Sequence, residues 1–189
     1  MKNIRSRIYF YLVVWVGSLF FWQCEPTHKK KDLEASPYRT SDSSRLFFKN
    51  VRQIFYDKQV IEAAQLEQYR IKERLTSTEK PLLNLCIINN WKFDEAYILL
   101  EPNELLADSD SLYIHWSDPA LGESGTWAFG FGNKDVHYQL ASGIYQGLLS
   151  EFSFSITYGE QTTPLFASPE EREPFRKTMY DFYRLVEKP

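Results

Sequence analysis

The 189 residues contain only two cysteines, Cys24 and Cys86, which excludes a disulfide framework. They also contain only three histidines, His28, His115 and His137. None of these falls in an H-x-x-x-H or H-E-x-x-H spacing, and no cysteine pair accompanies them, so no metal centre is expected. Eight glycines do not build a phosphate loop. Gly130-Phe131-Gly132-Asn133 precedes a helical pattern but is too short for either phosphate-binding fingerprint, so no nucleotide cofactor is expected. Basic charge is not in excess. There are 22 basic residues against 25 acidic ones, a net charge of −3, which argues against a nucleic-acid partner. What the chain has in quantity is aromatic surface. Its 14 Phe, 12 Tyr and 5 Trp make 16% of the residues, far more than a disordered chain carries, so a folded core must take most of it up.

Long apolar runs are also scarce: the chain has one, at its start. Lys2, Arg5 and Arg7 precede Ile8 to Trp22, in which every residue is apolar except Gly17 and Ser18. A basic segment followed by a short apolar one is the layout of a secretory signal. At 1.5 Å per residue the run reaches only about 22 Å as a helix, short of the ~30 Å hydrocarbon core. Small residues suited to ordinary signal peptidase do not follow it, the first alanine being Ala35.

Cys24 stands directly at the end of the run, in Phe20-Phe21-Trp22-Gln23-Cys24. This segment resembles a bacterial lipoprotein signal of the relaxed, spirochaete type, in which Gln precedes the cysteine. Phe21 and Trp22 occupy the positions where leucine and a small residue are usual. The resemblance covers residues 1–24. It implies removal of 1–23, acylation of Cys24 and attachment to a bacterial membrane on the exported side, at the periplasmic face or the cell surface. Two or more acyl chains hold stably where one does not. Two alternatives stay open from the residues themselves: an uncleaved signal anchor with Trp15 and Trp22 at the interfaces, and a buried core helix. Loss of 1–23 would leave 19 basic residues against 25 acidic ones, a net charge of −6, so the lipid rather than charge would do the anchoring.

From Cys24 to Ser44 the chain is polar, carries two prolines and fits neither helical nor strand periodicity. It reads as a flexible tether. A single domain over 45–189 is expected to follow. Asp42-Ser43-Ser44 can cap a helix with the stripe Phe47, Phe48, Val51, Ile54 and Phe55. Ile61, Ala64, Ile71 and Leu75 suggest a second helical stretch, although Tyr69 to Leu75 fits an extended segment too. Strands are expected over Leu82–Asn89, Ala96–Leu100, Leu112–Trp116, Trp127–Phe131, Phe152–Tyr158 and Thr162–Phe166. Asn133 to Ser150 carries the clearest helical stripe, with Gly143 and Gly147 on one flank where they allow close approach to a sheet. A last helix is expected with Pro174 at its first position and the stripe Phe175, Met179, Phe182 and Val186. The sum is an α+β domain, a mainly antiparallel sheet of about six strands packed by N-terminal, central and C-terminal helices.

No residue pattern names a reaction. His115 lies in a strand near Ser117, Asp118 and Ser124, but Gly122-Glu123-Ser124-Gly125-Thr126 is not a G-x-S-x-G elbow. Cys86, between Leu85 and Ile87, has the setting of a small buried hydrophobe. Phe129, Phe131, Phe152, Phe154 and Tyr158 are candidates to line a cavity for an apolar ligand. The expected function is therefore a lipid-anchored envelope protein that binds or scaffolds without catalysis, with an envelope protein as partner. The alternative is a carrier or sensor of an apolar small molecule held between sheet and helices. A hydrolase with Ser117 or Ser124 against His115 stands third.

Overall fold

The computed structural model describes residues 37–107 and 111–188. Cys24, the apolar run before it and most of the expected tether lie outside the described residues.

Among the described residues, eight strands form two antiparallel four-stranded sheets. The first is a meander in chain order: β1 (Tyr56–Ile61), β2 (Leu66–Ile71), β3 (Leu83–Asn90) and β4 (Glu95–Pro102). The second has the order β6-β5-β7-β8, from β5 (Ser111–Asp118), β6 (Glu123–Gly130), β7 (Ser153–Tyr158) and β8 (Gln161–Leu165). Among the described residues, four α-helices accompany them: α1 (Asp42–Phe47), α2 (Glu104–Ala107), α3 (Lys134–Leu149) and α4 (Pro169–Leu185). The fold is α+β as expected, with all six expected strands present as β3–β8. One contiguous core joins Ile87 and Ile98 of the first sheet, Ile114 and Ile156 of the second, and Ile144, Met179 and Phe182 of the helices.

The structure corrects five expectations. The second helical stretch is instead the β1–β2 hairpin, with Tyr56 paired to Ile71 and Ile61 to Leu66. In β2, burial alternates through Glu67, Tyr69 and Ile71, so a charged residue on the inward face hides the strand period. Glu67 is accommodated there by Lys58 Nζ at 2.7 Å, Asn89 Nδ2 at 2.8 Å and the Tyr69 hydroxyl at 3.0 Å. The strand total rises from about six to eight, in two sheets.

The stripe expected on the first helix does not form either. After α1 the chain widens into a π turn over Phe48–Arg52 and tightens into a 3₁₀ turn over Gln53–Phe55. An i→i+5 turn rotates the later residues off the face set by the earlier ones. Phe48 is buried, while Val51, Ile54 and Phe55 face solvent.

The last helix starts at Pro169, five residues before Pro174. Pro174 has no N–H to give the Glu170 carbonyl, but Glu170 is exposed and water can take that bond, so the helix runs on. The folded unit itself starts at Pro37 rather than 45. Tyr38 O accepts from Ala96 N and Thr40 N donates to Asp94 O, both at 2.8 Å, which ties this segment to β4 through backbone groups. Ser41 then caps α1 in a capping box with Ser44.

Candidate functional site

Asn133 caps α3 by accepting from the amides of Asp135 and Val136, and the helix then lays its glycine flank on the inner face of the second sheet. A Cβ on Gly143 would sit 3.3 Å from the Trp127 ring, and one on Gly147 only 2.6 Å from Phe154 Cζ and 2.9 Å from Phe152 Cδ2. The close approach anticipated for these glycines is thus made, and it decides what becomes of the aromatic residues.

The five aromatic candidates divide into separate groups. Phe129 is buried and stacks edge-on with Phe131 at 5.0 Å and with His137 at 5.1 Å; Phe131 itself is 43% exposed. Phe152 and Phe154 form a second group with Trp116 and Trp127. Tyr158 is half-buried near the β7–β8 turn, its hydroxyl donating to Gln161. The backbone of α3 at Gly147 occupies the space before Phe152 and Phe154, so the five do not surround one common chamber. Beside Phe129 a groove of ≈ 260 Å³ opens between β6 and α3, lined by Trp127, Ala128, Phe129, Val136, Leu140 and Gly143. Of the five, it holds only Phe129. Val136 and Leu140 carry no sign of a site in the sequence because they continue the stripe that also buries Ala141, Ile144 and Leu148, and Gly143 signals only a close helix–sheet approach. Nothing local in the sequence separates lining from core.

The outer face of the second sheet is of a different kind. Cross-strand register sets His115 between Thr126 and Ser155, with Ser117 between Ser124 and Ser153. An open hollow of ≈ 530 Å³ lies over these residues and also touches Trp116 and Phe154, the latter one of the five aromatic candidates. His115 Nδ1 and Nε2 each make a 2.8 Å hydrogen bond, to the hydroxyls of Thr126 and Thr157. Among the described residues, neither Ser117 nor Ser124 holds the ring, and no carboxylate supports it. Asp118 instead shapes the β5–β6 turn, accepting from the amides of Ala120 and Leu121. A serine–histidine–aspartate relay is not assembled here.

His137 does different work. It is buried in α3, and its Nδ1 accepts from the Leu100 amide at 3.0 Å. With Tyr38 and Thr40, it closes the outer edge of β4. Nδ1 must be unprotonated to accept, so the proton of the neutral ring sits on Nε2. Burial holds the pKa of this ring below its ordinary value. The unfolded chain therefore binds more protons as pH falls below about 6.5, and the stability contributed by neutral His137 is lost in that direction. His137→Ala is expected to flatten the stability-versus-pH curve between about pH 7 and 5. It should also cost about 1–3 kcal/mol at pH 7.5 through the orphaned Leu100 amide, read from urea midpoints across that range.

Among the described residues, no cluster of His, Cys, Asp and Glu is arranged to hold a metal ion. Cys86 is buried, and burial first, with Glu101 nearby, pushes its thiol up to about 12, so it is no nucleophile. No known protein family matches the chain, and no curated protein or solved structure does.

Proposed function

We propose that this protein is a lipid-anchored component of a bacterial cell envelope, held through acyl chains on Cys24, with a folded unit that binds a partner rather than catalyses a reaction. The observation that carries the reading is the order of the first 24 residues: basic segment, 15-residue apolar run, cysteine at its end. The start of the folded unit at Pro37 fits this. Residues 25–36 span at most about 40 Å when extended, enough to hold a domain clear of lipid headgroups. The non-catalytic part is supported by His115, whose ring nitrogens are both engaged by threonines, and by a thiol withdrawn into the first sheet.

The alternative, a carrier of an apolar small molecule, draws support from the groove beside Phe129. At ≈ 260 Å³ and open along one side, that groove falls below the ~300–1,000 Å³ of ordinary ligand pockets, so the partner-binding reading is preferred. Intact mass of the protein purified from membranes, wild type beside Cys24→Ala, tests the anchor. The expected species starts at Cys24, carries acyl chains and disappears in the variant. A full-length, unacylated mass in both would overturn the anchor and leave an uncleaved signal segment.

A further inference from the structure

Each sheet has two edge strands, and an edge presents unpaired backbone N–H and C=O groups that invite another strand. Three of the four edges here are dealt with. The β4 edge is closed by His137 and by Tyr38–Thr40. The β8 edge is five residues long and includes Pro164. The β1 edge carries Asp57 and Lys58, both in ion pairs. β6 has none of these devices. It runs for eight residues, ESGTWAFG, without proline, lysine or arginine, and among the described residues its only ladder partner is β5.

The apolar groove runs along that same edge. It touches Trp127, Ala128 and Phe129, three consecutive residues whose side chains alternate between faces. Because β6 is an edge strand, a groove lined by these residues lies at the border of the sheet. Its far wall is Val136, Leu140 and Gly143 of α3.

We propose that β6 and α3 form a docking site for an extended peptide segment of a partner protein, added to the second sheet as a fifth strand. Backbone groups of β6 would supply the ladder, and the two sides of the sheet would read alternate side chains. Residues on the α3 side enter the apolar groove. Residues on the other side meet the hydroxyl-lined face around Thr126 and Ser124 and are small and polar. Glu123, the only charged residue of β6, has no ion pair among the described residues, so the partner carries a basic residue next to it. The inference rests on the partner-binding reading and is independent of the lipid on Cys24.

The test uses full-length protein in detergent micelles and a displayed library of random twelve-residue peptides. Selected peptides should alternate apolar with small polar residues, lack central proline and carry Lys or Arg near one end. Their binding should slow hydrogen exchange at β6 amides. Ala128→Lys, which puts a charge on the free edge, should weaken the selected peptide by at least about tenfold, while Val60→Lys on the β1 edge changes it less than about twofold. Glu123→Lys should turn the selected end charge from basic to acidic. If Ala128→Lys unfolds, Val136→Glu places a carboxylate in the groove and reads the same contact. The proposal is overturned if no peptide is enriched, if both edge variants lose binding equally, or if β6 is protected without peptide in a concentration-dependent dimer. The selection is unaffected by whether Cys24 is acylated, so an unacylated mass and a failed selection remain separate results.

Discussion

Replacing Gly147 by valine should lower stability by about 3 kcal/mol, at the upper end of the usual cost of overpacking a filled core. The new Cβ would lie 2.6 Å from Phe154 Cζ and 2.9 Å from Phe152 Cδ2, and Phe154 is itself buried against Trp127 and Phe166. A ring wedged between two others cannot swing aside as a surface side chain would. Gly147→Ala shares the first clash but regains roughly 1 kcal/mol of helix propensity, so its net loss is smaller. Gly143, one turn earlier in the same helix, should behave in the opposite way. Its added Cβ would meet Trp127 at 3.3 Å, and Trp127 is only half-buried beside the groove, with room to yield. Gly143→Ala should therefore be neutral or gain up to about 1 kcal/mol. Denaturant midpoints of the variants check the pair. In a domain of this size the valine variant should melt lower by about 6–12 °C. Phe154→Leu removes the atom in the way, so combining it with Gly147→Ala should cost less than the sum of the two. Additive losses would mean that the helix does not rest on the ring.

How much of this was legible beforehand depends on whether the determining signal is local. α3 was readable because a 3.6-residue apolar stripe follows an asparagine cap, and β7 because Phe154 and Ile156 alternate with serines and a threonine. β2 was not, because Glu67 sits on its buried face and is tolerated only through Lys58, Asn89 and Tyr69, residues 9, 22 and 2 positions away. Tyr38–Thr40 resembled linker because its ties to β4 are made largely by backbone groups, which leave no mark in side-chain pattern. The candidate site was the least legible part. Phe129 was identified for its aromatic ring, yet its place beside the groove follows from β6 being an edge. Edge position is a property of strand order, β6-β5-β7-β8, to which strands distant in the chain contribute.

The largest single loss outside the helix–sheet contact is expected at Asp181. Its carboxylate, fully buried in α4, accepts from Arg52 Nε and from the Tyr56 hydroxyl, each at 2.7 Å. Burial first, with the Asp181 charge beside it, pushes the Tyr56 phenol far above its ordinary value, so it stays protonated and donates. These bonds fasten α4 to the start of β1 and to the π turn after α1, elements 125 and 129 residues away along the chain. Asp181→Ala leaves a guanidinium and a phenol facing an empty apolar space. Breaking one side of a buried pair costs about 3–5 kcal/mol, and because Arg52 is 26% exposed and stacks on Phe55, water can recover part of its charge. A loss of about 3 kcal/mol is therefore expected. The triple variant Arg52→Met, Tyr56→Phe, Asp181→Leu removes the ion pair and the phenol together and should recover most of that loss, since a packed apolar replacement of a buried ion pair is often neutral. Urea denaturation of the single and triple variants at pH 7 separates the two cases. If Asp181→Ala is as stable as wild type, the buried network adds no net stability and α4 is held by its apolar contacts through Phe182 and Met179. If the triple variant stays as weak as the single one, the three side chains are matched in shape as well as charge, and the π turn owes its geometry to Arg52 reaching α4.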